Sequence, residues 1–319
     1  MRISEMSVNL DGLPPSVEVK GELSLLDPLS RNSALEFCIY KVFHCDGLLL
    51  CISQCYRIVV WNPLTGQTRW IESGGVLSRK FALGYYQDEK SNTRSYKVLS
   101  YFNVYDDRNS KIYDFETDSW RILDGDSVGR PACKGDEQMV SFKGNSCWFA
   151  NEENPELDVY LLTFDFATDK FGRVPLPYKP RYYGRLSVVR EEKLCVLLQQ
   201  NFWSKSEIWV TSKICETNKG VSWSKVLEFD LRPHNLELPL AFLFDEEKKV
   251  VICCDRWFDE NDDGYGKDMV YIVGEDNNVT QKEFGLGEYY SCLPAVLNYF
   301  PSLVQIERAG GKKRKRLDT

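Results

Sequence analysis

Three observations predict an all-β fold made of repeated small sheets. A short phrase recurs about every 50 residues, an extended apolar run precedes each copy, and no amphipathic helical run of convincing length appears. The phrase is an apolar residue, an aromatic and an Asp or Asn, then a Thr three residues on and a returning Trp or Phe. It reads Val60-Trp61-Asn62 with Thr65 and Trp70, Ile112-Tyr113-Asp114 with Thr117 and Trp120, and Thr163-Phe164-Asp165 with Thr168 and Phe171. Fainter copies follow at Ile208-Trp209-Val210 with Trp223 and at Val270-Tyr271-Ile272 with Phe284. Strands in groups of three or four per repeat predict a β-propeller of about six blades.

Each part of the phrase has a mechanical role. The apolar and aromatic residues end a strand, the Asp or Asn side chain bonds its own following backbone to start a tight turn, and Pro63 and Gly66 supply turn dihedrals in the first copy. The closing Trp or Phe begins the returning strand. Ahead of the hairpins lie the runs Leu48–Ile52, Tyr96–Tyr101, Gln138–Phe142, Leu194–Leu198 and Val250–Cys254, several bounded by turn residues such as Asp46-Gly47. Five blades are anchored at Trp61, Tyr113, Phe164, Trp209 and Tyr271. A sixth is expected to close the ring by joining N-terminal strands near Glu36–Val42 to a C-terminal strand near Ser302–Ile306, which would remove exposed sheet edges. One continuous propeller domain over 1–306 and a flexible basic tail over 307–319 are the expected organisation.

Composition narrows the function. The start Met1-Arg2-Ile3-Ser4-Glu5 lacks the apolar core of a signal peptide, and no stretch of 18 apolar residues exists, so the expectation is a soluble nuclear or cytoplasmic protein with no membrane partner. Eleven cysteines, scattered through apparent strands, fit reduced core thiols better than a disulfide framework. The sequon Asn278-Val279-Thr280 then reads as a turn before a strand. Net charge is −7, and because Lys312, Lys313, Arg314, Lys315 and Arg316 contribute +5, the rest of the chain carries −12. An acidic body is a poor nucleic-acid surface, whereas five consecutive cations on a tail form a candidate signal for a nuclear-import receptor.

Little in the sequence declares chemistry. With only His44 and His234, sites built on several imidazoles are excluded by count. His44-Cys45 has the residue types of a nucleophile and base but no declared orienting partner, and it reads better as a strand ending at the Asp46-Gly47 turn with His44 bonded near it. Neither Cys51 with Cys55 nor Cys253-Cys254 has the spacing of a structural zinc site. Asp259-Glu260-Asn261-Asp262-Asp263-Gly264 matches half of a calcium loop, but the twelfth position is Val270 instead of Glu. No phosphate-cradling Gly-rich loop is present, and the expectation is no catalytic residues, no metal and no cofactor.

Propellers without catalytic groups bind partners through loops on one face of the disc, so aromatic and Arg residues in connections are the candidate anchors. Three stretches carry them: Lys179–Arg185, Asn201–Lys205 and Arg256-Trp257-Phe258. From these, Arg181, Tyr183, Trp203 and Trp257 are the candidate target-binding residues.

Longer matches point to a family. His44-Cys45-Asp46-Gly47-Leu48-Leu49-Leu50-Cys51, followed by Val59-Val60-Trp61-Asn62-Pro63-Leu64-Thr65-Gly66 and on to Trp70-Ile71, resembles the opening of the plant F-box-associated domain, type 1. Ala82-Leu83-Gly84-Tyr85, Tyr96-Lys97-Val98-Leu99, Ile112–Phe115, Pro301–Ile306 and the earlier Val19–Pro28 are similar to further segments of that family. The resemblance runs from about Ser7 to Ile306 and implies the target-recognition half of an SCF-type ubiquitin ligase receptor, with an unknown protein target. It also implies a helical F-box of about forty residues ahead of the propeller. Residues 1–41 hold no such motif, since Leu13-Pro14-Pro15-Ser16 reads as a loop, so adaptor and cullin are expected as partners only if an F-box is supplied elsewhere. Two alternatives stand beside this reading: a truncated or decoy receptor without ligase activity, and a propeller binding a small molecule in its central channel.

If Lys312–Arg316 directs nuclear import, the chain fused to a cargo too large for passive diffusion accumulates in nuclei, and replacing all five cations with Ala disperses it. An unchanged nuclear signal after the replacement rejects the assignment.

Overall fold

A computed structural model of the chain describes residues 3–12, 14–28, 37–53, 57–72, 79–87, 93–102, 110–123, 139–151, 159–180, 184–201, 204–212, 221–234, 236, 238–258, 265–288 and 293–306. These form a β-propeller. An N-terminal hairpin, β1 (Ile3–Asn9) and β2 (Ser16–Leu23), precedes five four-stranded antiparallel blades. Blade 1 holds β3 (Ile39–Cys45), β4 (Leu48–Ser53), β5 (Ile58–Trp61) and β6 (Thr68–Ile71); blade 2 holds β7 (Arg79–Gln87), β8 (Arg94–Phe102), β9 (Lys111–Asp114) and β10 (Ser119–Ile122). Blade 3 holds β11 (Val140–Phe142), β12 (Asn145–Asn151), β13 (Val159–Asp165) and β14 (Lys170–Pro175), and blade 4 holds β15 (Arg185–Val189), β16 (Lys193–Leu198), β17 (Ser206–Thr211) and β18 (Trp223–Phe229). Blade 5 holds β19 (Ala241–Asp245), β20 (Val250–Phe258), β21 (Tyr265–Val273) and β22 (Val279–Glu288). Among the described residues the helical content is one 3-10 turn, Arg232–His234, and no helix is long and apolar enough to cross a membrane.

All five anchoring aromatics fall in the third strand of their blades, and the phrase is the turn from third to fourth strand. Asn62 Oδ1 accepts from the Leu64 and Thr65 amides at 3.0 and 3.3 Å, and Asp165 Oδ1 from those of Ala167 and Thr168 at 2.8 and 3.3 Å. Asp114 does the same with Glu116 at 2.8 Å. The residue four beyond each of these is left-handed: Gly66 (φ 72°), Asp118 (φ 53°) and Asp169 (φ 55°). Asp, with Asn, is among the few non-glycine residues that enter this region at modest cost.

Apolar clusters fill the interfaces between successive blades. Trp148, Phe164 and Phe166 of blade 3 are fully buried against Ala82, Leu99 and Ile112 of blade 2, and Phe229 and Leu197 of blade 4 meet Phe242 and Val251 of blade 5. Buried cations tie the same interfaces. Arg69 of blade 1 donates to the Phe115 carbonyl (2.7 Å) and to Asp118 (3.0 Å) in the blade 2 turn. One blade further on, Lys97 donates to the Phe166 carbonyl (2.8 Å) and to Asp169 (3.0 Å) in the blade 3 turn. The left-handed Asp of each turn thus receives the preceding blade's cation. Lys193 of blade 4 meets Glu246 of blade 5 at 2.8 Å in a related arrangement.

Ring closure corrects the expected architecture. There are five four-stranded blades among the described residues instead of about six. Ile39–Cys45, placed near the expected N-terminal contribution to a sixth blade, is the first strand of blade 1, and Ser302–Ile306 forms no strand. Pro294 and Pro301 remove two ladder donors from the C-terminal segment, and its carbonyls bond side chains instead. The buried Asn62 amide donates to the Ser302 and Val304 carbonyls, both at 2.9 Å; the Ile306 amide donates to Gln67 Oε1 at 3.0 Å, and Ser302 Oγ to the Asp46 carbonyl at 2.9 Å. Tyr299 packs edge-on against His44, with ring centroids 5.4 Å apart. Val296, Leu297 and Asn298 line the ring centre beside His44 of blade 1 and Phe242 of blade 5, so the segment fills the seam between the last blade and the first.

Gly47 is where this segment passes most closely. Its φ is +74°, and a Cβ would lie 2.7 Å from the Phe300 carbonyl and 2.8 Å from the Ser302 amide. Left-handed strain adds to a clash with backbone that cannot rotate away. Gly47→Ala is expected to destabilise the protein by about 2 kcal/mol or more and to lower Tm by about 4 °C or more. An unchanged thermal melt would show that the segment is not seated on this turn.

Candidate functional site

Antiparallel blades present two rims. One carries the turns from first to second and from third to fourth strand, including Asp46-Gly47, Asn62–Gln67, Asp114–Asp118 and Asp165–Asp169. These turns are mutually tied: Arg94 and Tyr96 of blade 2 both bond Asp46 of blade 1, the former at 2.5 Å, while Lys97 and Arg121 converge on Asp169. The opposite rim carries the connections from second to third strand and from blade to blade. Apart from the link between Thr211 and Trp223, these are the longer ones, such as that between Ile122 and Val140, and loops of this kind are where binding residues concentrate.

Blade 5 stands out on this second rim. Its last three strands are 9, 9 and 10 residues long, against 4 to 6 for the last three of blade 1. The extension carries three exposed large apolar side chains, Trp257 (40%), Tyr265 (51%) and Leu286 (68%). Register puts Trp257 opposite Lys267, and Lys267 opposite Leu286, so these side chains share one face of the blade as a lateral row. Lys267 Nζ lies 5.9 Å from the Trp257 ring centroid and 3.8 Å from Glu283 Oε2. Toward the ring, the same strand faces continue into Cys253, Met269 and Tyr271, which pack on blade 4, so the row looks toward blade 4.

The opposite face of blade 5 is braced. Arg256, 3% exposed, bonds both carboxylate oxygens of Asp268, at 2.6 and 3.1 Å. A Cβ on Gly287 would lie 2.1 Å from its Nη2 and one on Gly266 2.6 Å from its Cγ, so two bare positions form the track on which the guanidinium lies. Arg256 is therefore a scaffold residue, although the sequence offers it next to Trp257 as a surface anchor. Alternating glycines in Gly264-Tyr265-Gly266 and Gly285-Leu286-Gly287 are the signal that distinguishes the two.

Of the sequence-predicted anchors, Trp257 is exposed as expected. Arg181, Tyr183 and Trp203 lie outside the described residues, as do Lys312, Lys313, Arg314, Lys315 and Arg316 and the acidic stretch Asp259–Gly264. The connections that contain Arg181, Tyr183 and Trp203, β14 to β15 and β16 to β17, leave the described strands on the rim where β20 ends. Tyr265, Leu286 and the carboxylate of Asp255 were not among the expected residues. Asp255 lies two residues before Trp257 and therefore on the same face, at the boundary with blade 4, where burial pushes its carboxyl up to about 6 while the nearby Arg185 guanidinium pulls it down.

The remaining candidates have other roles. Burial holds His44 down at about 4, and its Nε2 accepts the Gly47 amide at 3.1 Å, the turn bond expected from the sequence. Cys45 is fully buried, accepts from Ser141 Oγ at 3.1 Å, and has its thiol pushed up to about 12 by burial, so at neutral pH the pair offers a protonated thiol beside a neutral imidazole that is already engaged. The cavity at the ring centre, between His44, Ser141, Ser187 and Val296, has a volume of about 70 Å³. That is room for a few waters; a more open hollow of about 380 Å³ lies beside it, between the Asp46-Gly47 turn, Glu191 and Phe300–Ser302. Among the described residues no three His, Cys, Asp or Glu side chains are grouped to hold a metal ion.

Comparison with known proteins fits this geometry. A sequence model of the F-box associated beta propeller domain matches residues 1–306. The chain is 51% identical to F-box protein ETP2 of Arabidopsis thaliana, over 98% of this chain and 82% of that protein. It is 46% identical to F-box protein ETP1 of the same plant, over 99% of this chain and 84% of that protein. An F-box/kelch-repeat protein of Arabidopsis thaliana is 47% identical over 98% of this chain and 83% of its own length.

Proposed function

The chain belongs to the F-box-associated β-propeller family, and from that premise we propose that it is a non-catalytic recognition module that holds a protein target on its long-connection rim, the role of target receptor in an SCF-type ubiquitin ligase. The observation that carries this reading is the row of Trp257, Lys267 and Leu286 on the extension of blade 5. Exposed aromatic and aliphatic side chains on a braced strand lose little conformational freedom on binding, which is what a hot spot requires. Arg181, Tyr183 and Trp203, in connections of the same rim, are the proposed further anchors, and the tightly tied turns of the other rim keep the blades in register. Adaptor and cullin belong to the reading only through a helical F-box; the propeller's own task is the target. Lys312–Arg316 is the proposed handle for nuclear import.

Affinity capture from plant nuclear extract with the chain and with a variant in which Arg181, Tyr183, Trp203 and Trp257 are all Ala tests the reading. Truncating a central aromatic anchor costs ~2 kcal/mol, about thirtyfold in affinity, so proteins bound as targets are expected to fall at least tenfold in the variant. Identical protein sets from both would place recognition away from this rim. Capture of adaptor and cullin by the purified chain would show that the propeller reaches the ligase without a separate F-box.

A further inference from the structure

We propose that the exposed strand face of the blade 5 extension, carrying Asp255, Trp257, Tyr265 and Leu286, takes an extended segment of the partner protein that combines apolar side chains with Lys or Arg. This inference rests on the reading above and names the chemistry of its target.

Shape comes first. Strands lie about 4.8 Å apart, so the row from Trp257 across Lys267 to Leu286 is about 10 Å wide, the span of about three extended residues. Exposed side chains in a row on a strand face suit a polypeptide better than an enclosed small molecule. Two exposed apolar ends call for apolar side chains at matching spacing, while Lys267 at the centre faces Glu283.

Charge supplies the sign. Asp255 receives one hydrogen bond among the described residues, from the Arg256 amide at 2.8 Å. A neighbouring cation, Arg185, directs Nε to the Pro239 carbonyl at 2.6 Å and Nη1 to the Gly184 carbonyl at 3.3 Å, and among the described residues no hydrogen bond joins it to Asp255. The carboxylate therefore feels a positive charge across the blade boundary without being bonded to it. Desolvation pushes its carboxyl up to about 6, and a cationic donor from a partner would offset that cost directly. Lys267, the cation within the row, already lies near Glu283. Apart from the basic tail the chain carries −12, so an approaching basic segment meets an attractive field and an acidic one a repulsive field.

The test is selection of a phage-displayed random peptide library on the purified full chain, followed by affinity measurement of the enriched peptides. The expected consensus combines Leu, Phe or Trp with Arg or Lys. Affinity should fall about tenfold or more in Trp257→Ala and in Leu286→Ala. Asp255→Asn should weaken the basic peptides by about tenfold and leave their Lys/Arg→Gln counterparts unchanged. Leu286, the most exposed of the three, keeps the test informative if Trp257→Ala lowers the melting temperature. Enrichment of acidic peptides, no enrichment at all, or equal affinity in Asp255→Asn and the native chain would overturn the proposal. Peptides that compete with captured targets yet ignore all three substitutions would leave target recognition standing and remove it from this face of blade 5.

Discussion

The interaction on which the rest of the structure depends is the grip of one buried amide, that of Asn62, on two carbonyls of the C-terminal segment, Ser302 and Val304. A ring of antiparallel blades has one seam where the last blade meets the first without a covalent turn, and a strand shared between the two ends is a common solution. Here the seam holds an irregular segment with prolines at 294 and 301, so its polar backbone must be satisfied by side chains. Asn62 and Gln67 supply those partners, the Asp46 carbonyl accepts the Ser302 hydroxyl, and all three residues belong to tight turns of blade 1. The same Asn62 side chain also builds its own turn through Oδ1, so a single amide joins local hairpin geometry to ring closure.

Between the other blades the fold repeats a different device. Arg69 and Lys97 each cross to the next blade and end on a turn carbonyl and a left-handed Asp. Both cations are largely buried, and their value lies in register more than in net energy: a buried pair often does no better than apolar packing, yet losing one member leaves an uncompensated charge costing about 3 to 5 kcal/mol. Blades 1 and 2 are thereby indexed to the turns of blades 2 and 3, while apolar clusters supply the bulk of the cohesion. The fixed rim frees the opposite one to carry long connections and the extended blade 5 hairpin. On this account the separation of roles between the rims is a consequence of where the short turns fall.

The blades were legible in the sequence because the turn phrase encodes a local hydrogen-bond pattern, and local patterns survive translation from string to structure. Trp61, Tyr113, Phe164, Trp209 and Tyr271 all take equivalent places in third strands. Closure was not legible, because Ser302–Ile306 has the alternation of a strand while its partners are side chains some 240 positions away. Arg256 shows a related limit in the candidate site: next to Trp257 it reads as an anchor, and the alternating glycines on the two following strands mark it as a brace only once register sets Gly266 and Gly287 against it. Leu286, between two glycines, carries no signal of exposure that the eye would rank above other leucines. For Trp257 the structure bears on exposure alone: it stands exposed on the blade 5 extension, where the sequence left packing between blades equally open.

If the Asn62 grip closes the ring, its loss must be felt by both blades at the seam and not by the C-terminal segment alone. Native-state hydrogen exchange on Asn62→Ala measures this directly. The account predicts a shared fall in protection across β3–β6, residues 293–306 and β19–β20, with the β11–β14 amides retaining theirs longest. Loss of protection confined to 293–306, with blades 1 and 5 as protected as in the native chain, would show that the ring closes by other means.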